Sequence, residues 1–344
     1  MSEPHLRKNK NGEDFVRTPD IFFKNLAGFP YAPNYVQVDG WQQHYIDEGP
    51  QDGRPILLLH GQPDWSYLYR KMIPILVDAG YRTIAPDLIG MGRSDKPLNI
   101  HLHTAEQHTD WLHEFIEELG LQKITLFCQD WGGAIGLLEV AEHPDHFESV
   151  LAANAVPMRI PHPIFNVTHG LNRDDYPVDD EAETRTFSDF LEIAGPLIGE
   201  DMSAFFEQWM KYALTMPDFM PSQNLVVDAG VSLTADEVAA YDAPFPDRIY
   251  KTGIRALPSM ASLVDEERAL AAWEKICTFE KPFLTLFGEF DVIIGHKRLQ
   301  DTLIESIPGA QGQLHGRLPA GHFIQESLGE EMARRLIDFI QGQG

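Results

Sequence analysis

The chain of 344 residues has little cysteine, few basic side chains and no long apolar run. Its two cysteines, Cys128 and Cys277, lie far apart and form no Cys-X-X-Cys pair, so neither a disulfide nor a zinc-thiolate site is expected. No apolar stretch reaches the roughly 18 residues that a membrane-spanning helix needs. The first residues also lack the apolar segment of a secretion signal. We therefore predict a cytoplasmic protein with no membrane partner.

The shortage of positive charge excludes a large class of partners. The chain has 27 Lys and Arg residues against 52 Asp and Glu residues, and its formal net charge is −25. Binding to nucleic acid needs a basic face that neutralises phosphates, so no nucleic-acid partner is expected. The acidity itself indicates a well-solvated surface.

Short apolar runs alternate with helical patterns, which is typical of a mostly parallel sheet covered by helices on both faces. Strands are predicted at residues 56–59, 83–86, 124–128, 149–155, 282–287 and 313–318, and helices at residues 109–119, 134–141 and 329–340. Between about residues 157 and 250 the pattern is helical and irregular. The sequence therefore predicts a core domain formed by residues 1–156 and 251–344, with a helical cap domain at residues 157–250.

Three ionisable residues, Asp130, Asp291 and His322, each follow a predicted strand. Ligands of open α/β sheets bind beyond the carboxyl ends of the strands, so these side chains are expected to converge. Their order along the chain is that of the α/β-hydrolase triad, with Asp130 at the strand-to-helix turn where serine usually lies. The usual glycine two residues earlier is replaced by Cys128. Each residue alone fits a helix cap or a loop, but the ordered set favours a catalytic site.

An aspartate nucleophile indicates displacement at saturated carbon. Its carboxylate is already ionised at neutral pH and needs no base to attack. The resulting alkyl ester would be cut by water that His322 deprotonates, while Asp291 orients the imidazole ring. We expect the backbone N–H groups of Gln62 and Trp131 to hold the oxyanion of this second step.

Three neighbouring histidines, His101, His103 and His108, raise the alternative of a metal site. Their spacing is loose and few acidic residues accompany them, so a solvated loop and helix surface is the favoured interpretation. We expect neither a metal nor a cofactor.

Four motifs together resemble the haloalkane dehalogenase family: HGQPDWSYLYRKMIP (residues 60–74), APDLIGMGRSDKP (85–97), QDWGG (129–133) and AGHFIQE (320–326). The resemblance extends from about residue 17 to the C-terminus. It implies an α/β-hydrolase fold, with a mostly parallel eight-stranded sheet, helices on both faces and a helical cap insertion. It also implies a hydrolase acting on carbon–halide bonds, which converts a small halogenated hydrocarbon and water to an alcohol, a halide ion and a proton.

The position of the acid implies the subgroup typified by the dichloroethane-degrading enzyme. Another subgroup carries the acid before the cap, where this chain has Asn154, whereas Asp291 follows the cap. In the resembled subgroup two indole N–H groups hold the departing halide, which implies this role for Trp131 and Trp209. Phe206, three residues before Trp209, would share its helix face and line the same pocket.

Three other functions are weighed against this one. An epoxide hydrolase resembles this fold and uses the same Asp-His-Asp set, with cap tyrosines, here Tyr176 and Tyr212, that protonate the epoxide. A fluoroacetate dehalogenase is disfavoured because no arginine accompanies the nucleophile to bind a carboxylate. An inactive hydrolase fold that only binds a ligand is the alternative outside the enzymes, and the complete triad argues against it.

Overall fold

The central sheet has eight strands in the computed structural model, which describes residues 5–160, 171–178, 186–198, 202–217 and 219–342. The strands are β1 (Asn34–Val38), β2 (Trp41–Glu48), β3 (Pro55–Leu59), β4 (Arg82–Pro86), β5 (Ile124–Gln129), β6 (Phe147–Ala153), β7 (Phe283–Gly288) and β8 (Gly316–Leu318). Their order across the sheet is β8-β7-β6-β5-β3-β4-β2-β1. A small second sheet joins Arg7–Lys8, Asp14–Val16 and Lys96–Pro97.

Most neighbouring strands of the large sheet run parallel, as predicted. The antiparallel pairs are β1 with β2 and β2 with β4, at one edge. The pairs from β4 through β3, β5, β6 and β7 to β8 are parallel. The parallel strands were predictable because both of their faces are buried, which gives largely apolar runs such as β5 and β7. β1 was not predicted; only Val38 of this strand is buried, and its other positions alternate between half-buried and exposed.

Helices cover both faces of the sheet. They are α1 (Ile73–Asp78), α2 (Ala105–Glu118), α3 (Trp131–Glu142), α4 (Phe187–Ala194), α5 (Met202–Thr215), α6 (Pro221–Leu225), α7 (Ala235–Asp242), α8 (Thr252–Ala256), α9 (Glu266–Ile276), α10 (Lys297–Ser306) and α11 (Ile324–Ile340). Successive residues of β3 point to opposite faces of the sheet and pack against different helices. Leu57 packs in the same apolar cluster as Phe115 of α2, whereas Leu58 packs in the cluster that holds Leu336 of α11.

Helix bounds follow local signals that the sequence carries. α2 begins after Thr104, whose side chain accepts a hydrogen bond from the Gln107 N–H, and the chain turns away at Gly120 with a φ of 60°. The stop at Gly120 was predicted from the sequence. α11 begins at Ile324, five residues before the predicted position, because the helix continues across a kink at Leu328.

The described chain between β6 and β7 contains helices and no strand, which agrees with the helical character predicted for residues 157–250. Residues 161–170, 179–185, 199–201 and 218 of that segment lie outside the described residues. α4 begins at a capping box formed by Thr186 and Asp189 and packs on α5, with the rings of Phe190 and Phe205 5.8 Å apart. None of the described helices has the length and apolarity to cross a bilayer.

A buried network of charges joins the loop after β3 to the start of α11. Arg70 donates to both oxygens of the Glu326 carboxylate at 2.6 and 2.8 Å, and Lys71 and the Tyr241 hydroxyl donate to the same group. Burial alone would raise the pKa of Glu326, but the bonds from Arg70 and Lys71 outweigh it and lower the pKa. Since Glu326 lies four residues after His322, the network fixes the segment that carries this histidine.

Replacing Arg70 should therefore be costly. Arg70→Met should lower the free energy of unfolding by about 3–5 kcal/mol, because it removes the main partner of a buried carboxylate. The control is Arg334→Met, since the pair between Arg334 and Glu330 is exposed and should contribute little. Urea unfolding followed by circular dichroism measures both. A loss for Arg70→Met as small as that for the control would contradict the assigned role.

Candidate active site

A sharp turn at the end of β5 presents Asp130. Its φ of 51° and ψ of −126° are rare for a residue with a side chain, and its N–H donates to the Asn154 carbonyl at 3.0 Å. The turn requires glycine at position 132, two residues after Asp130, because a Cβ there would lie 2.3 Å from the Leu59 carbonyl oxygen. Cys128 is fully buried within β5, so the turn forms without the usual glycine at that position.

The structure brings Asp130, Asp291 and His322 together as predicted. His322 Nδ1 lies 3.0 Å from Asp291 Oδ2, and His322 Nε2 lies 3.4 Å from Asp130 Oδ2. The other oxygen of Asp291 accepts the N–H groups of Ile293 and Ile294, at 2.8 and 3.2 Å. These hydrogen bonds fix the Asp291 carboxylate, and Asp291 in turn orients the imidazole of His322 toward Asp130.

Two opposing effects set the charge of His322. Burial disfavours the imidazolium and lowers the pKa, but the negative charges of Asp291 and Asp130 outweigh burial. The pKa of His322 is therefore well above its ordinary value while both carboxylates are ionised.

The two oxygens of Asp130 have different surroundings. Oδ1 accepts the backbone N–H of Gln62 at 2.8 Å, while Oδ2 is the oxygen nearest His322. The Gln62 side chain donates to the Ile254 carbonyl at 3.0 Å, which holds the loop that carries this N–H. Trp131 is the first residue of α3, and an N–H at that position has no acceptor within its own helix. The Gln62 N–H therefore contacts the carboxylate directly, and the oxyanion role of Gln62 and Trp131 stays a prediction.

Sequence reasoning missed two side chains that hold the histidine loop. The carboxylate of Asp228 accepts the backbone N–H groups of His322 and Phe323, both at 2.8 Å. Asn154 donates to the His322 carbonyl at 2.8 Å and accepts the Gly288 N–H at 2.6 Å. Asn154 follows a strand and was noted only as the alternative acid position. Asp228 follows no strand, so the pattern gave no signal for it.

Two further polar groups near the nucleophile were also missed. The Gln129 side-chain amide lies 3.0 Å from His322 Nε2. The Asp64 carboxyl is fully buried, and its closest basic partner is His60 Nδ1 at 3.5 Å. Burial raises the pKa of Asp64, and the nearby charge of Asp130 acts in the same direction. Both residues belong to motifs that resemble the family, but their own contacts could not be read from the sequence.

An apolar cavity of about 130 Å³ opens onto these groups. Its lining includes every predicted site residue except Asp291, which is buried against His322: Gln62, Asp130, Trp131, Phe206, Trp209 and His322. Trp209 comes from α5 and is fixed by the rings of Phe187 and Phe190 of α4, at 5.2 and 5.4 Å.

The polar groups around the cavity weigh against two of the alternatives. Among the described residues, no tyrosine lines the cavity; the Tyr212 ring stacks on Trp209, and Tyr176 lies beside Lys211 Nζ. The described lining also contains no arginine or lysine that would bind the carboxylate of a haloacid. The arrangement suits an uncharged apolar molecule.

The prediction of a solvated surface for three histidines is wrong for two of them. His103 and His108 are buried, with 3.1 Å between His103 Nδ1 and His108 Nε2. Burial lowers the pKa of both rings, that of His108 to about 3. Only His101 is exposed, where it pairs with Asp174 at 3.0 Å. The helical pattern of α2 extends further toward the N-terminus than predicted, which turns His108 inward.

Comparison with known proteins agrees with this geometry. Residues 54–327 match the family model of the alpha/beta hydrolase fold, so fold and site define an α/β-hydrolase. A haloalkane dehalogenase of Mycobacterium marinum is 43% identical over 95% of this chain and 99% of its own length. A haloalkane dehalogenase of Psychrobacter cryohalolentis is 38% identical over 94% of this chain and 97% of its own length.

A solved structure supports the same assignment. Haloalkane dehalogenase DpaA of Paraglaciecola agarilytica NO2, a tetramer, superimposes with a TM-score of 0.73 at 32% identity, over 93% of this chain and 97% of that one. The chain belongs to the haloalkane dehalogenase family. The family predicted from the four motifs is thereby confirmed.

The raised pKa of His322 predicts a pH-dependent contribution to stability. A group whose pKa is higher in the folded state stabilises the fold below its unfolded pKa, about 6.5, and loses this effect as pH rises through the folded pKa. The stability lost in His322→Gln should thus be largest below about pH 6.5 and shrink as the pH rises through the raised pKa of the folded state. Urea unfolding at several pH values measures it, with the exposed His101→Gln as control. A difference that does not change with pH would refute the assigned charge.

Proposed function

We propose that the protein hydrolyses haloalkanes to an alcohol, a halide ion and a proton through an alkyl ester on Asp130. The observation that carries this proposal is a carboxylate in an apolar cavity, with one oxygen bound by the Gln62 N–H and the other 3.4 Å from His322. Membership of the haloalkane dehalogenase family supports it.

The first step is displacement of the halide. A carboxylate oxygen of Asp130 attacks the carbon that carries the halogen, the C–O bond forms, and the halide leaves with the electron pair of the C–X bond. The indoles of Trp131 and Trp209 line the same cavity and supply N–H donors. Neutral donors in an apolar cavity stabilise the developing charge without competing as nucleophiles.

The second step returns the enzyme to its starting state. His322 takes a proton from water as the water oxygen attacks the carboxyl carbon of the ester, and the N–H groups of Gln62 and Trp131 stabilise the oxyanion. The tetrahedral intermediate then collapses, the alkoxide accepts the proton from His322 and leaves as the alcohol, and Asp130 is released with the water oxygen. Loss of the remaining proton restores the carboxylate.

Ester formation also prepares His322 to act as a base. In the free enzyme two carboxylates raise the pKa of this ring. Alkylation of Asp130 removes one of the two charges, so the pKa of His322 falls and the ring releases its proton when a base is needed. Asp291 keeps its contact with Nδ1, which leaves Nε2 to face the water.

We further propose that residues 157–250 form a cap over a core made of residues 1–156 and 251–344. The cavity supports this division, since α5 contributes Phe206 and Trp209 while the strand ends contribute Asp130 and His322.

The volume of the cavity is close to that of an engineered cavity of about 150 Å³ that holds benzene, so we expect short-chain substrates.

The two free cysteines fit a reducing compartment, and we propose that the protein is located in the cytoplasm.

Variants of the nucleophile and the base should fail at different steps. With 1-bromobutane, Asp130→Asn should release no bromide, because an amide is a poor nucleophile. His322→Ala should release one bromide per chain and then stop, with one butyl group on the peptide that contains residue 130. Bromide assay and peptide mass spectrometry measure these results, and His101→Ala, at an exposed site, should turn over normally.

Sustained bromide release by His322→Ala would contradict the two-step mechanism.

Styrene oxide, with its diol product measured beside bromide release from 1-bromobutane, tests the epoxide alternative. Diol formation without bromide release by the unaltered protein would replace the proposal with an epoxide hydrolase.

Trp209→Phe should weaken halide binding. The ring packing against Phe187 is largely kept, but an N–H donor to an anion is lost, which is worth about 1.5–3 kcal/mol or roughly 10- to 150-fold. The inhibition constant of bromide, measured in steady-state turnover, should rise accordingly. Trp273→Phe is the matched control, since Trp273 packs on the core and does not line the cavity. An unchanged constant would remove Trp209 from the halide site.

A further inference from the structure

A second group of ionisable side chains lies on α2, α3 and the turn that follows α3. It consists of His113, Glu139 and His146, and one potential ligand atom of each lies within 4.8 Å of the others. His113 Nδ1 is 3.0 Å and His146 Nδ1 is 3.8 Å from the same oxygen, Glu139 Oε1. None of the three residues lines the cavity described above, so the mechanism does not use them.

The contacts between these residues leave buried polar atoms without partners. Glu139 is completely buried, yet within the described part of the chain its Oε2 has no hydrogen-bond partner, and neither has His146 Nδ1. A hydrogen bond between His113 and Glu139 accounts for one oxygen only. Such a carboxyl group is costly to bury unless a cation or a donor satisfies it.

The surroundings of His146 resemble those of a metal ligand. Its Nε2 lies 3.1 Å from Glu117 Oε1, while its Nδ1 lies 3.8 Å from Glu139 Oε1, so one ring nitrogen faces an outer carboxylate and the other faces Glu139. Histidines that bind metals commonly donate their other ring N–H to a carboxylate in this way. The ring of His113 stacks on that of His143 with 3.9 Å between centroids, which limits its rotation.

We propose that His113, Glu139 and His146 bind one zinc ion, with water as the fourth ligand. Two imidazoles and one carboxylate are ligands that zinc accepts in four-coordinate sites. With zinc–ligand distances of about 2.0–2.2 Å, ligand atoms of a tetrahedral site lie about 3.4 Å apart, and the separations of 3.0 and 3.8 Å bracket this value. The partly exposed side chains of His113 and His146 give the ion a path from solvent. The bound ion would join α2 to the turn after α3.

Zinc binding to the full chain tests the proposal. After dialysis against a chelator, titration calorimetry with ZnCl₂ should show one zinc ion per chain, and zinc should raise the melting temperature. His113→Ala and His146→Ala should each weaken binding at least tenfold. Glu117→Gln, which alters only the partner of His146 Nε2, should weaken it about tenfold. His101→Ala removes a histidine outside the group and should bind like the unaltered chain.

Cobalt gives a second readout that does not depend on stability. Co²⁺ in place of zinc should produce the visible absorption of a four-coordinate site in the unaltered chain and in His101→Ala, but not in the variants of His113 and His146. Circular dichroism shows whether each variant is folded. Absence of zinc binding to the unaltered chain would overturn the proposal. Unchanged affinity in both histidine variants would place the ion elsewhere and would overturn it as well.

Discussion

His322 lies buried between the carboxylates of Asp291 and Asp130, and the surrounding fold keeps it there. An imidazole in such a place would lose its proton if burial acted alone, and the two negative charges reverse that effect. The arrangement therefore depends on both carboxylates. In the proposed mechanism, an ester on Asp130 would remove one of the two charges and leave the imidazole of His322 able to act as a base.

The parts of the fold that hold this histidine come from distant segments. Asp228 and Asn154 bind the backbone of the histidine loop from its two sides, through N–H and carbonyl groups. The pair between Arg70 and Glu326 fixes the first turn of α11, just after the loop. Buried ionic groups are costly to leave unpaired. The position of the His322 ring therefore depends on contacts from several distant parts of the core.

Much of the architecture was predictable because burial on both faces leaves a plain signal. The parallel strands appear in the sequence as largely apolar runs. The three predicted catalytic residues follow β5, β7 and β8, at the carboxyl ends of the strands, where ligands of parallel sheets bind. The strained turn at Asp130 formed although Cys128 replaces a glycine, because the space is needed at Gly132. Trp209 was inferred from resemblance rather than from pattern, and the cavity does include it.

What the sequence did not reveal depends on side chains that meet only after packing. Asp228 lies in the turn after α6 with no strand to mark it. His108 was predicted to be a surface residue, although α2 turns it inward. His113 lies on α2, so its approach to Glu139 and His146 requires α2 to pack on α3. Periodicity reports which face of an element is buried, but not which polar groups meet there.

A single-turnover reaction in H₂¹⁸O tests the ester on Asp130 most directly. With enzyme in excess over 1-bromobutane, the alcohol should contain ¹⁶O, because its oxygen comes from the Asp130 carboxylate. The ¹⁸O of the attacking water should appear in the peptide that contains residue 130. An alcohol labelled with ¹⁸O in the first turnover would show that water attacks the carbon directly, and would contradict the account.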